Sequence, residues 1–99
     1  MRILFVCAAG MSTSLIVKSL SAYCSDHGLS YEINAVGINE YEYVYKDYDV
    51  ILLAPQVRYK LTEIQQRTCL PCEPIPSFDY AVGNCAHMIL LAEKLCAQK

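Results

Sequence analysis

The chain has 99 residues, of which 55% are hydrophobic and 18% charged, and its eight basic and ten acidic side chains leave a net charge of -2. That length suits a single domain with one core, and so apolar a chain is not a disordered one. Near-balanced charge argues against nucleic-acid binding and against a polybasic membrane anchor, and no apolar run approaches the ~20 residues of a membrane span. The apolar start Ile3 to Ala9 soon meets Gly10, Ser12, Thr13 and Ser14 and then resumes at Leu15, which is unlike a signal peptide. A cytoplasmic domain with no direct membrane insertion is expected. Six cysteines beside only four Gly and four Pro point, for most of them, to small buried hydrophobes in a reducing compartment rather than a disulfide scaffold.

Arg2 to Val6 is a nearly continuous apolar run with β-branched and aromatic members, the pattern of a strand buried on both faces. From Leu15 the period changes, with Ile16, Leu20, Tyr23, Cys24 and His27 at helical spacing and Gly28 as the terminator. Tyr31 to Val36 predicts a second strand that ends near Gly37. Glu40 to Tyr48 is read as a short helix with Tyr41, Val44, Tyr45 and Tyr48 on one face, although Tyr41, Tyr43 and Tyr45 also alternate as in a strand. Asp49 to Ala54 is another buried strand, stopped by Pro55. A loop through Gln56, Val57, Arg58 and Tyr59 leads to a helix over Thr62 to Thr68, with Thr62 as the candidate cap. Cys72 to Phe78 predicts a strand that Pro74 and Pro76 push to the sheet edge. The last helix, Asn84 to Ala97, turns Cys85, Met88, Ile89, Ala92, Leu95 and Cys96 inward. Strands alternating with helices imply an α/β fold whose parallel sheet is covered on both sides.

In such sheets, ligands bind where strand C-termini face helix N-termini. Cys7 follows the first strand directly. The small residues behind it, Ala8, Ala9, Gly10, Met11, Ser12, Thr13 and Ser14, free backbone N–H groups to curl around an anion. A site of that kind favours the thiolate, the nucleophilic form of cysteine. The hydroxyls at Ser12, Thr13 and Ser14 exceed the needs of one helix cap, and an exposed Met11 in a polar loop calls for a covering partner. A thiolate beside an oxyanion cradle suggests a phosphocysteine intermediate. In tyrosine phosphatases an arginine follows the cysteine at the position held here by Thr13. Without that bidentate grip the loop is poorly equipped for hydrolysis, which suits a carrier.

Cys7-Ala8-Ala9-Gly10-Met11-Ser12-Thr13-Ser14 and Asp49 to Tyr59, with its Pro55-Gln56 after a strand, resemble the enzyme IIB component of the bacterial sugar phosphotransferase system in its lactose/cellobiose/chitobiose class. The resemblance covers essentially the whole chain. It implies a four-stranded parallel sheet of order 2-1-3-4 with helices on both faces and a phosphatase-like phosphate loop after strand 1. It further implies that Cys7 accepts phosphate from a phosphohistidine of enzyme IIA and passes it to a sugar held by the membrane-embedded enzyme IIC. No metal or cofactor is expected. Three stretches depart from the family pattern: Ala54 in place of a frequent Gly, the tyrosine- and acid-rich segment between Gly37 and Asp49, and Cys69 to Pro74.

Beyond the loop, Arg58 and Lys60 could neutralise phosphate from the neighbouring strand end, steer an acidic partner or simply sit in solvent, and Gln56 and Tyr59 are similarly placed. Cys69-Leu70-Pro71-Cys72 has redox-motif spacing, but it precedes a strand, where no helix dipole lowers a thiol pKa. His27 and His87 read as ordinary helix residues. Asp79 raises a low-molecular-weight-phosphatase-like hydrolase as an alternative, because such enzymes draw a general acid from a later loop. A non-enzymatic anion-binding regulatory module is the other alternative.

Overall fold

The structure, a computed structural model, describes residues 1–8 and 14–97. Strands β1 (Arg2–Cys7), β2 (Glu32–Gly37), β3 (Val50–Leu53) and β4 (Cys72–Pro74) pair in parallel in the order β2-β1-β3-β4. Helix α1 (Ser14–Asp26) joins β1 to β2, and α2 (Leu61–Thr68) joins β3 to β4. Helices α3 (Ser77–Val82) and α4 (Cys85–Ala97) follow the last strand. From the central β1 and β3 the chain steps outward in opposite directions. Right-handed crossovers therefore set α1 on one face and α2 on the other. Helix α4 packs on α1, and α2 on β4, so both faces are covered as expected.

That covering explains the apolar runs. Ile3 to Val6 and Val50 to Leu53 are 0% exposed. Side chains alternate along β1, so Ile3, Phe5 and Cys7 share one face of the sheet. Truncating a residue such as Leu52 to alanine costs about 2–5 kcal/mol, because the packed interior leaves a cavity behind. Helix α1 ends as read: Gly28 has φ +68, and the Leu29 amide donates to the Cys24 carbonyl at 2.8 Å. In α4, Met88, Ile89, Ala92 and Leu95 are buried and Cys85 and Cys96 half-buried, and the Asn84 side chain accepts the His87 amide at its start. No described helix is long and apolar enough to cross a membrane.

Four local expectations are corrected. The segment read as a helix over Glu40 to Tyr48 forms two 3-10 turns, Tyr41–Tyr43 and Tyr45–Asp47, broken at Val44 with φ −130. Its β-branched and aromatic residues favour neither an α-helix nor its continuation, and i to i−3 bonds let Tyr41 drop into the core. The expected loop through Tyr59 is a pair of 3-10 turns over Pro55–Lys60, kinked at Val57 (φ −115, ψ 16), and the second leads directly into α2. Thr62 is consequently no cap: Lys60 holds the cap position without a side-chain bond, since the chain is already turning when it reaches the helix. The fourth strand stops at Pro74 instead of continuing to Phe78, and α3 takes the rest. Pro76 withholds a ladder donor and is pre-set to open a helix.

As expected, β4 is an edge. Ile51 binds the Pro71 carbonyl and the Ile75 amide binds Leu53, so the backbones of Cys72 and Pro74 face outward. The Gln65 amide donates to the outward Cys72 carbonyl at 3.1 Å, and Pro74 has no N–H to offer.

Candidate functional site

Cys7 is the last residue of β1, opposite Gly37 of β2, and only 3% exposed. Its thiol donates to the Val36 carbonyl at 3.4 Å. The chain leaves the sheet there through the half-buried Ala8 and re-enters a helix at Ser14. Because α1 runs back antiparallel to β1, its N-terminus, the positive end of the helix dipole, stands at the same end of the sheet as the thiol. Of the expected phosphate loop, Ala8 directly follows Cys7 and the backbone of Ser14 opens α1. Ala9, Gly10, Met11, Ser12 and Thr13 lie outside the described residues.

The third strand reaches the same end. The Ala54 amide donates to the Val6 carbonyl at 2.9 Å, which places the end of β3 beside Cys7. Ala54 has φ −62 and ψ 148, ordinary extended backbone, so a position that is often glycine accepts alanine here without strain. The following turn is anchored by the buried Val57. Gln56, Arg58 and Tyr59 ride on that turn with exposed side chains, Tyr59 at 72%. Lys60 pairs with Glu63 at 3.2 Å across the start of α2.

The remaining candidates separate by environment. Asp79 is held by His87, with Oδ1 3.0 Å from Nδ1. His27 stacks on Tyr23 and approaches the Tyr23 carbonyl through Nδ1 at 2.9 Å, an arrangement local to the C-terminal end of α1. Burial pushes the Cys72 thiol up to about 12, and the exposed Cys69 occupies the C-cap of α2. Sequence reasoning missed the Val36 carbonyl, a backbone group 29 residues from Cys7, and the stacking of Tyr80 in α3 on Phe5 with ring centroids 6.3 Å apart. Neither leaves a local signal in the sequence.

An open parallel α/β sheet with a thiol at the end of a central strand, facing the first helix N-terminus, defines a class of anion-handling domain with a built-in nucleophile. Comparison with known proteins gives the family. The sequence model described as "PTS system, Lactose/Cellobiose specific IIB subunit" matches residues 2–92, and the chain belongs to that family. It is 32% identical to the cellobiose-specific EIIB component of Lactococcus lactis subsp. lactis over 94% of both chains, and 31% identical to the galactose-specific EIIB component of Lactococcus lactis subsp. cremoris over the same shares. It is 35% identical over 65 residues to the oligo-beta-mannoside-specific EIIB component of Bacillus subtilis, covering 66% of this chain and 63% of that one. The solution structure of a cellobiose-specific phosphotransferase IIB component from Borrelia burgdorferi superposes with a TM-score of 0.83 at 33% identity, covering 100% of this chain and 94% of that one. The lactose-specific IIB domain of Streptococcus pneumoniae, at 17% identity and a TM-score of 0.78 over 91% of this chain and 94% of that one, shares the fold. As an EIIB component the chain is a phosphotransferase, and such components work with IIA and IIC components.

Proposed function

We propose that this chain carries a phosphoryl group on Cys7, taken from a phosphohistidine of enzyme IIA and given to a sugar bound by enzyme IIC. The position of Cys7, at the end of β1 and facing the α1 N-terminus, carries the reading. In the first step sulfur attacks phosphorus and the P–N bond breaks. The electron pair stays on imidazole, and the thiol proton leaves with the donor histidine, so the products are phosphocysteine and neutral histidine. In the second step a sugar hydroxyl attacks the same phosphorus and the S–P pair returns to sulfur. The hydroxyl proton passes to a base of enzyme IIC. Ala8, Ala9, Gly10, Met11, Ser12, Thr13 and Ser14 hold the transferring group through backbone amides and hydroxyls, so catalysis is mainly positioning and electrostatics. Gln56, Arg58 and Tyr59 flank the approach. The sugar class is a β-linked disaccharide such as cellobiose, lactose or chitobiose, and the compartment is the cytoplasm.

Hydrolysis is disfavoured by Thr13, which stands where a phosphatase needs arginine, and by Asp79, whose carboxylate is already engaged with His87. The test is mass spectrometry after incubation with phosphoenolpyruvate, the general phosphotransfer proteins and a cognate-class enzyme IIA. One phosphoryl group on Cys7, absent without enzyme IIA and persisting after its removal, is the expected result. Cys7→Ser should keep the fold and lose transfer; relay to sugar by that variant would overturn the assignment. Anion binding without any covalent adduct would favour a regulatory module.

A further inference from the structure

The two flanks of the sheet differ. At β4 the outward groups are blunted, since Gln65 takes the Cys72 carbonyl and Pro74 has no N–H. At β2 the ladder fixes what faces out. The Glu32 amide donates to the Met1 carbonyl at 3.1 Å, so Glu32, Asn34 and Val36 turn their main-chain groups to β1, and Ile33, Ala35 and Gly37 turn theirs away from the sheet. The Gly37 carbonyl accepts the Glu40 amide at 2.9 Å, and the other outward groups of these three residues make no hydrogen bond among the described residues. The usual protections of an edge strand are missing as well. β2 has neither proline nor lysine, its pairs with β1 run from end to end without a bulge, and its one charged side chain, Glu32, is tied to Arg2 at 2.8 Å.

We propose that β2 is a self-association edge, to which β2 of a second copy of this chain adds in antiparallel sense about a two-fold axis at Ala35. The register follows from the outward groups. Ala35 of each copy exchanges both main-chain bonds with Ala35 of the other, and each Gly37 amide donates to the Ile33 carbonyl of the opposite copy. None of these bonds needs a group already used. The side chains agree with that register. Asn34 falls opposite Val36 and Ile33 opposite Gly37, while Glu32 passes beyond the end of the opposing strand, so no like charges meet. A second copy is favoured over a flexible peptide because both strands are already ordered in their own sheets. The antiparallel pair also closes on itself, where a parallel one would continue as a filament. The chain's net charge of -2 opposes association only weakly. So short a contact falls below the roughly 1,000 Å² of a stable interface, and the pair is therefore transient. Because the two sheets run in opposite senses, their Cys7 thiols lie at opposite ends of the joined sheet.

Analytical ultracentrifugation checks the pairing. The weight-average mass should be that of a single chain at about 20 μM and rise by about half at about 1 mM, as for a dissociation constant of that order. Ala35→Pro removes the central outward donor and leaves the ladder to β1 intact, because the Ala35 amide is not part of it. That variant should keep the fold and lose most of the rise. An isotope-filtered NOE spectrum of mixed labelled and unlabelled wild type reads the register without any variant. Contacts between the Asn34 and Val36 Hα protons of different copies are expected, because an antiparallel pair without hydrogen bonds brings them closest. A constant single-chain mass up to about 1 mM overturns the proposal. So does a rise that a folded Ala35→Pro leaves unchanged, or one whose intermolecular contacts lie outside β2. Should the proline variant fold poorly, the NOE contacts decide. A chain that stays monomeric alone, but whose Ile33, Ala35 and Gly37 amides shift on adding enzyme IIA, also overturns the proposal and gives the edge to that partner.

Discussion

Tyr41 shows how a single side chain settles a segment that periodicity leaves open. Only 1% exposed, it anchors the first 3-10 turn, yet its hydroxyl has no hydrogen-bond partner among the described residues, and burial pushes its pKa up. An orphaned buried hydroxyl costs about 1–3 kcal/mol. Tyr41→Phe keeps the ring and drops that penalty, so it should raise stability by about 1 kcal/mol. A higher urea midpoint at unchanged m-value is the expected readout, and an unchanged or lower midpoint would mean that the hydroxyl is satisfied in solution. Cys7 is the opposite case, because residue type, small neighbours and its place after an apolar strand all mark it. Its bond to Val36 was not legible, since it is made by a backbone carbonyl from another strand. In the thiol form that carbonyl satisfies the S–H.

Among elements, legibility follows burial. Strands β1 and β3 are sealed on both faces and write themselves as apolar runs, and α4 shows its inner stripe because four of its residues are buried. Helix α3 buries nothing, so no period betrays it, and the prolines around it were read as strand punctuation instead. The end of α2 was equally silent. Cys69 caps it with φ +56, the one non-glycine at positive φ among the described residues. For an L-residue the left-handed region costs roughly 1–2 kcal/mol, partly offset in glycine by greater freedom when unfolded. Cys69→Gly should therefore stabilise the protein by about 0.5–1 kcal/mol in thermal or urea unfolding under reducing conditions. A loss of stability would show that the Cys69 side chain contributes more than its backbone costs.

For the molecule as a whole, the resolved shifts run in one direction. Burial raises the thiols of Cys24, Cys72 and Cys85, and a hydrogen bond to Glu93 raises Tyr31. A raised folded pKa means that, above the unfolded value, the native state keeps a proton the unfolded chain has lost. For Cys72, with an ordinary value of 9.0 raised to about 12, stability is complete below pH 9 and declines as pH climbs towards 12. The slope is at most about 1.4 kcal/mol per pH unit for each such group. Unfolding in urea at pH 8 and pH 10 should show that decline, and Cys72→Ala should flatten it; an identical slope in the variant would assign the loss to other groups. A last consequence comes from the outer flank of β4, where Gln65 occupies one carbonyl and Pro74 lacks an amide. Strand addition joins proteins through a zipper of main-chain bonds, and that flank cannot close one. A complex along it would be held chiefly by side chains, and so would part more readily than one zipped along the main chain. For a component that must part from one protein before it can serve the next, brief residence is what sets throughput.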